Sequence, residues 1–293
     1  MTTPRDKTAT PHTPELFGRD VASDVVSDVL RRAISQRQRP PRASALTCAA
    51  AFGWRALLKI KYVPEQMFDV VVTPIMFTVM FTYLFGGALA GSTADYLQFL
   101  LPGILAQTIV FTTMYTGLTL NTDISKGVYD RFKSLPIWAP SPVIGAMMGD
   151  VLRYSGAATI VVLVGLVMGY RPEAGLPGVV LSIVLLNLFG FGFSWIFISL
   201  GLLVRTPGAV MTLSWLVLMP LTFASNIYVD PATMPTWLQN VVAVNPVTQL
   251  VTALRGLMAG NLTARQLLLA LITPVIVTAI FSPLAMYLYR RER

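Results

Sequence analysis

The sequence predicts an all-α polytopic membrane protein with six transmembrane helices. Of its 293 residues, 54% are hydrophobic and only 12% are charged, whereas roughly 25% of the residues in an average soluble domain are charged. Six apolar runs come close to the roughly 20 residues that a helix needs to cross about 30 Å of hydrocarbon. These runs cover residues 70–90, 96–120, 144–170, 176–204, 208–227 and 266–289.

Lys and Arg residues are distributed unevenly between the segments that connect these runs. Eleven of them precede the first run, and none lies in the next connection, residues 91–95. Lys126, Arg205 and the C-terminal arginines fall on the same side of the membrane as those eleven, and cytoplasmic loops carry an excess of basic residues. Both termini are therefore expected in the cytoplasm. The formal charge of +8 indicates orientation in the membrane rather than binding to nucleic acid.

Two polar segments precede the first apolar run. Residues 1–42 are expected to form a cytoplasmic tail, and the apolar arc between Val21 and Ala33 predicts an amphipathic helix within it. Residues 43–68 predict a second amphipathic helix in the headgroup region, because they place Trp54 and Arg55 among leucines. Simple anchoring of the first span is the alternative role of this helix. No apolar signal-peptide core precedes the spans, so the first span is expected to direct insertion.

A charged stretch, residues 121–143, separates the second apolar run from the third. Asp123 is a good helix N-cap, and Pro136 and the prolines after it prevent the helix from continuing. Between them, apolar residues recur at helical spacing, which predicts a short amphipathic helix along the membrane surface. Its apolar face consists of Ile124, Val128, Phe132 and Leu135. Its charged face consists of Lys126, Asp130, Arg131 and Lys133, and Tyr129 and Phe132 form an aromatic tip. Such a helix suits docking into a soluble partner; an ordinary solvated loop is the alternative.

Few polar residues lie within the apolar runs. Asp150 and Arg153 are three residues apart near the inner end of the third run, so they can share a helix face and partly neutralise each other. Asn187 stands alone in the fourth run. Small residues in that run are expected to permit close helix packing. They are Gly190, Gly192, Ser194 and Gly201.

The connection between the fifth and sixth runs, residues 228–261, is long and apolar for an outer loop. Residues 235–244 predict one short helix, which ends at Asn245 because a residue before proline is steered out of the helical region. A second helix is expected from Val247 to Gly260, with Gly260 as its C-terminal cap. Its apolar face consists of Val247, Leu250, Val251, Leu254 and Met258. We expect a pair of re-entrant or outer-leaflet helices that form a lid; a folded extracellular loop is the alternative.

Four blocks of sequence, taken in order, resemble a known family. They are FLLPGILAQTIVF (99–111), DISKGVYDRFKSLPI (123–137), FGFSWI (191–196) and NPVTQLVTALRGLMAG (245–260). The chain resembles the permease subunits of type-2 ABC exporters, and within that family the daunorubicin-resistance type of bacteria. The resemblance implies a multi-pass protein of the bacterial inner membrane, with six transmembrane helices in each subunit. It further implies a dimer with a second copy or a related permease, placed on two ATP-binding subunits.

The resemblance also implies roles for two groups of residues. The intracellular loop between the second and third spans would carry the coupling helix that enters a cleft of the ATPase. The matching residues are Lys126, Gly127, Asp130, Arg131, Phe132, Ser134, Leu135 and Pro136, together with the neighbouring Tyr129. An outer-side signature is matched by Asn245, Pro246, Leu250, Ala253, Leu254 and Arg255. Neither group would be catalytic. The long tail before Arg42 departs from similar permeases.

The residue types limit the chemistry that the chain can perform. No G-x-x-x-x-G-K-[ST] loop is present, so ATP and Mg²⁺ are expected on a separate ATPase subunit and no cofactor is expected on this chain. The single cysteine, Cys48, and the single histidine, His12, leave no metal site and no Cys/His pair. The expected function is export of a hydrophobic or amphipathic drug, antibiotic or lipid-like molecule. The alternatives are a secondary carrier with Asp150 as its proton relay and, less favoured, an enzyme acting on lipids.

Overall fold

The computed structural model describes residues 64–128 and 141–291, together with Asp28, Ala51, Gly53 and Trp54. All of these except Asp28 belong to the unit Ala43–Arg293. Over the two long ranges the regular structure is helical. The helices are α1 (Pro64–Ala90), α2 (Thr93–Ser125), α3 (Ser141–Met168), α4 (Gly175–Leu203), α5 (Pro207–Phe223), α6 (Thr236–Val244), α7 (Pro246–Ala259) and α8 (Ala264–Arg291), with a 3-10 turn at Pro231–Thr233.

Five of the described helices are long and apolar enough to cross a membrane, namely α1, α2, α3, α4 and α8. The predicted all-helical multi-pass architecture is therefore confirmed at this level. Helix α5 has 17 residues, or about 26 Å at 1.5 Å per residue, which lies at the short end of the range for a span. Helices α6 and α7 meet at an angle of 78°, so they form a bent pair, as expected for this connection.

The inner end of α2 differs from the sequence prediction. The second span was expected to end at residue 120 and Asp123 was expected to begin a new helix, but α2 continues to Ser125 and contains Asp123. The N–H of Lys126 donates to the carbonyl of Thr122 at 3.1 Å, and Gly127 has a φ of +66°, which ends the helix. An N-cap needs extended backbone at its own position, and Asp123 does not have it. The amphipathic helix predicted beyond this point lies largely outside the described residues.

The ends of α1 and α5 also bear on the prediction. Helix α1 begins at Pro64, and its apolar segment covers Val70–Ala90, the bounds predicted for the first span. The interfacial helix predicted over residues 43–68 lies largely outside the described residues. The fifth run was predicted to be helical to residue 227, but α5 ends at Phe223 with Ala224 as its cap. The carbonyls of Leu221 and Ala224 at this end accept hydrogen bonds from a side chain in another part of the chain, described below.

Helix α2 lies at the centre of the bundle. Of the 18-residue apolar stretch of α2, 83% is buried, against 11% of the corresponding stretch of α8. It packs against α1, α3, α4, α5 and α7, and its side chains at Leu100, Ile104 and Ile109 are fully buried. A helix that is apolar on all sides suits such a central position. Because α2 also leads into the loop that begins at Lys126, the centre of the bundle is continuous with that loop.

Close contact between α2 and α4 depends on glycines, as the sequence predicted for α4. A methyl group added at Gly117 would overlap the carbonyl oxygen of Phe197, and one added at Gly201 would lie 2.5 Å from the carbonyl oxygen of Gly117. Likewise, a methyl group at Gly190 would meet the Tyr154 ring at 2.8 Å, and one at Gly192 would overlap Pro274 of α8. Small residues let helix backbones approach each other where lipid provides no hydrophobic driving force.

Candidate transport site

Asn245 joins the end of α5 to the start of α7. Its Nδ2 donates to the carbonyl oxygens of Leu221 at 2.7 Å and Ala224 at 2.6 Å, and its Oδ1 accepts from the N–H of Val247 at 2.8 Å. The last carbonyls and the first N–H groups of a helix have no partner within the helix, so one amide satisfies both ends. Pro246 follows at the first position of α7, where a proline costs no hydrogen bond.

Helix α7 is held against the core by the remaining residues of the predicted outer-side signature. Leu250, Ala253 and Leu254 are fully buried. Gly260 has a φ of +72° and caps the helix, as the sequence predicted. The predicted apolar face of this helix is buried over its full length, which includes Val247 and Met258.

Arg255 connects α7 with α2 and with the segment after α5. Its guanidinium lies 3.7 Å from the centre of the Phe99 ring. Its Nε donates to the Phe99 carbonyl at 3.1 Å, and its Nη2 donates to the Asn226 carbonyl at 2.9 Å. The planar guanidinium group of arginine stacks on the ring and donates these hydrogen bonds at the same time, whereas the ammonium group of lysine cannot do both. The signature residues thus form one structural assembly that joins α7 to α2 and to the end of α5.

A cavity of about 180 Å³ lies between α1, α2 and α5. Its walls are mainly apolar and aromatic. The apolar part of the lining includes Phe77, Phe111, Met114, Met211 and Trp215, and the polar part consists of Thr73, Gln107, Thr108 and Thr112 together with the Tyr115 ring. Small-molecule sites commonly combine apolar walls with a few placed polar groups. This cavity is the part of the described bundle whose chemistry suits an amphipathic cargo.

A second cavity of about 320 Å³ lies further along α1, toward the outer segment after α5. Aromatic rings dominate its lining, which includes Phe81, Phe85, Tyr96, Phe223 and Tyr228. The hydroxyl of Tyr228 donates to Gln107 Oε1 at 2.7 Å. Because Gln107 lines the first cavity and Tyr228 lines the second, this hydrogen bond lies between the two cavities.

Asp150 and Arg153 are brought together in the N-terminal half of α3. Arg153 Nη1 lies 2.9 Å from Asp150 Oδ1, and the hydroxyl of Thr116 on α2 donates to Asp150 Oδ2 at 2.5 Å. Both oxygens of Asp150 therefore have partners, which favours a structural ion pair over the proton relay of a secondary carrier. Asn187, which stands alone in the fourth apolar run, donates to the hydroxyl of Ser155 on α3 at 2.9 Å.

Of the predicted coupling residues, Lys126 and Gly127 are described, directly after α2. The other seven, from Tyr129 to Pro136, lie outside the described residues. Five residues before Lys126, Asn121 Nδ2 donates to the carbonyl oxygens of Gly201 at 2.8 Å and Val204 at 2.5 Å. These are terminal carbonyls of α4, so the helix that leads into the loop is tied to the inner end of α4.

Sequence reasoning missed Gln107, Tyr228 and Asn121. For Gln107 a signal was available, since an amide within an apolar run is a candidate functional group. Tyr228 and Asn121 carry no comparable signal, because their partners are distant in sequence. Within residues 64–128 and 141–291, no three His, Cys, Asp or Glu side chains are placed to hold a metal ion.

Comparisons with known proteins agree with this architecture. Residues 48–259 match the family described as ABC-2 type transporter. The daunorubicin resistance ABC transporter permease protein DrrB1 of Streptomyces coeruleorubidus is 45% identical over 267 residues, which cover 91% of this chain and 94% of that protein.

More distant relatives carry similar names. The doxorubicin resistance ABC transporter permease protein DrrB of Mycobacterium tuberculosis is 27% identical over 189 residues, or 64% of this chain and 65% of that protein. The probable multidrug ABC transporter permease YbhR of Escherichia coli is 27% identical over 158 residues, or 52% of this chain and 41% of that protein. With a family match over most of its length and a relative at 45% identity, the chain belongs to the ABC-2 type transporter family of membrane permeases.

Proposed function

We propose that this chain is the membrane permease of an ATP-driven exporter that moves an amphipathic, drug-like molecule out of the cell. The observation that carries the proposal is its similarity, over 91% of the chain, to a permease named for daunorubicin resistance. The cavity between α1, α2 and α5 supports it, because apolar and aromatic walls with a few polar groups suit an amphipathic cargo better than a polar solute.

The proposed topology has six spans in the bacterial inner membrane with both termini in the cytoplasm. Helices α1 to α5 and α8 are the spans, and the bent pair α6–α7 is a re-entrant or outer-leaflet unit. The concentration of Lys and Arg before the first span supports this orientation. The bend of 78° at Asn245 supports the re-entrant arrangement, since the pair does not form a straight span.

ATP hydrolysis would occur on a separate ATP-binding subunit that also holds Mg²⁺. The loop from Lys126 to Pro136 would dock into that subunit, and its movement would reach the bundle through α2. The contacts of Asn121 with the end of α4 support this route, because they join the helix before the loop to a second helix. A change of state driven by ATP requires contacts that differ between the two states.

The permease would work as a pair with a second copy or a related chain. Large apolar side chains of α1 and α5 are exposed beside the cavity, which is typical of a surface covered by lipid or protein. They include Met76, Tyr83 and Leu84 of α1 and Trp215 and Leu216 of α5. A partner on this face would close the cavity from the side.

Transport measurements test the proposed function. In membrane vesicles that contain this chain and its ATPase, we expect ATP-dependent accumulation of daunorubicin that persists when the proton gradient is dissipated. Accumulation that collapses with the gradient at constant ATP, and that survives inactivation of the ATPase, would instead establish the secondary carrier.

Substitutions in the loop test coupling. Arg131→Ala and Phe132→Ala should leave the protein in the membrane but abolish ATP-dependent transport, while Arg265→Ala, an exposed arginine of the outer side, should transport normally. Co-purification should recover the ATPase with the wild-type chain and less of it with the two loop variants. Normal transport by both loop variants would remove the coupling role from these residues.

A further inference from the structure

The cavity between α1, α2 and α5 contains one carboxamide in its wall. Gln107 is 5% exposed and lines the cavity from α2. A buried amide has an acceptor oxygen and two N–H donors, and each needs a partner. Within the described part of the chain, the only hydrogen bond of this side chain is the one from Tyr228 to its Oε1. The two N–H donors of Gln107 are therefore left for whatever occupies the cavity.

Tyr228 determines which end of the amide faces the cavity. Its main-chain carbonyl accepts from the Tyr96 hydroxyl at 2.9 Å, and its ring stacks on Phe81 with centroids 4.7 Å apart. The Tyr228 hydroxyl donates to Gln107 Oε1, which leaves Nε2 on the other side.

The other polar groups of the wall discriminate less between a bound molecule with acceptor oxygens and one without them. The hydroxyls of Thr108 and Thr112 donate to the carbonyls of Ile104 at 2.7 Å and Thr108 at 2.6 Å within α2, so their protons are already engaged. The hydroxyl of Thr73 is both a donor and an acceptor and rotates to suit its partner. Of the polar side chains that α1 and α2 contribute to this wall, only Gln107 carries a donor without acceptor capacity.

The facing walls are aromatic. Phe111 and Trp215 lie 5.2 Å apart, centroid to centroid, with their planes tilted by 42°, and Phe77 lines the same space. Aromatic faces favour a flat ring system, because stacked or tilted rings gain about 0.5–1.5 kcal/mol beyond the area that they bury. A flat molecule stacked on this aromatic surface would lie in the same cavity as the amide of Gln107.

We infer that Gln107 is a specificity-determining residue, whose Nε2 donates a hydrogen bond to an acceptor oxygen on the edge of a flat aromatic cargo, and that Tyr228 is the positioning residue that orients this amide. The inference rests on the proposed function, in that the cavity is taken as the path of the cargo. It adds a chemical criterion: a polycyclic compound with carbonyl oxygens is selected over one of similar shape without acceptor oxygens.

The test compares two fluorescent probes on the full-length chain, purified with its ATPase in lipid nanodiscs. Daunorubicin carries quinone carbonyls, whereas ethidium is a flat aromatic cation without acceptor oxygens. Equilibrium binding of each probe is measured for the wild type, Gln107→Met, Tyr228→Phe and the control Gln98→Met. Methionine keeps the length of the side chain. Gln98 lies on the same helix as Gln107, but its amide bonds to the main chain of Gly169 and Arg171, away from the residues that line the cavity.

For Gln107→Met we expect the Kd of daunorubicin to rise roughly 5- to 10-fold, the equivalent of one neutral hydrogen bond, and the Kd of ethidium to stay unchanged. Tyr228→Phe should raise the Kd of daunorubicin by a smaller factor, because the donor remains but is no longer oriented. Gln98→Met should match the wild type for both probes.

Equal changes for both probes would show that Gln107 only shapes the cavity, and an unchanged Kd of daunorubicin would remove its donor role; either result overturns the inference. Failure of the wild type to bind daunorubicin would overturn it as well. The proposed function is tested separately by ATP-dependent transport in the same complexes. Selective binding without transport would contradict the exporter while supporting the role of Gln107.

Discussion

Replacement of Asn245 by alanine should destabilise the outer end of the bundle strongly. Asn245 is 7% exposed and makes three hydrogen bonds, two to the end of α5 and one to the start of α7. Alanine removes all three and leaves the carbonyls of Leu221 and Ala224 without their partner. No other described side chain donates to these two carbonyls.

The magnitude follows from these contacts. Loss of an N-cap costs about 1 kcal/mol, and each amide hydrogen bond contributes about 1 kcal/mol, with a further cost for a carbonyl left buried and unpaired. Together these give a destabilisation of about 3–5 kcal/mol for Asn245→Ala. At about 2–4 °C per kcal/mol for a chain of this size, the Tm should fall on the order of 10 °C.

Thermal unfolding in lipid nanodiscs measures this effect, with Asn240→Ala as the matched control. Asn240 is exposed on α6, so its substitution should leave the Tm unchanged. Asn245→Asp distinguishes the bonds to α5 from the bond to α7. The carboxylate keeps the oxygen that caps α7, but it loses the two N–H donors and places an oxygen against the carbonyls of Leu221 and Ala224. This variant should therefore be less stable than the wild type. If Asn245→Ala unfolds within about 1 °C of the control, or if Asn245→Asp equals the wild type, the reasoning is wrong.

Three further substitutions test other contacts. Gly117→Val should prevent close packing of α2 on α4 at Phe197 and yield little folded protein by gel filtration, whereas Gly156→Val, where nothing lies within 4 Å, should fold normally; equal yields would contradict the packing role. Asn121→Leu should leave the C-terminal carbonyls of α4 without their partner, so amide hydrogen exchange at that end of the helix should become faster. Unchanged exchange would contradict the role of Asn121. Arg255→Lys keeps the charge but loses the planar guanidinium group, so the Tm should fall by the equivalent of about 1–3 kcal/mol. A Tm equal to that of the wild type would show that the charge alone suffices.

Local sequence signals predicted the helices and the outer bend well. The proline after Asn245 and the glycine at position 260 define both ends of α7, because each acts through its own backbone geometry. The small residues of α4 were also predicted correctly as packing sites, since glycine is the residue that lets two backbones approach.

Features that depend on contacts distant in sequence were not predicted. Asp123 has the side chain of an N-cap, but that preference acts only where the helix already breaks, and α2 continues through it to Ser125. Tyr228 and Gln107 are 121 positions apart, so no local pattern relates them. The carbonyl of Ala224, the cap of α5, likewise bonds to an amide 21 positions further along the chain. No local pattern contains these two tertiary hydrogen bonds.

The central claim is that this chain provides the membrane path and a separate subunit provides the energy. The most direct measurement is reconstitution of the purified chain and its ATPase into proteoliposomes, followed by daunorubicin accumulation with no ion gradient present. The account predicts accumulation only when both proteins and hydrolysable ATP are present, and none with an ATPase that cannot hydrolyse ATP. Transport by this chain alone, driven by an imposed proton gradient, would contradict it.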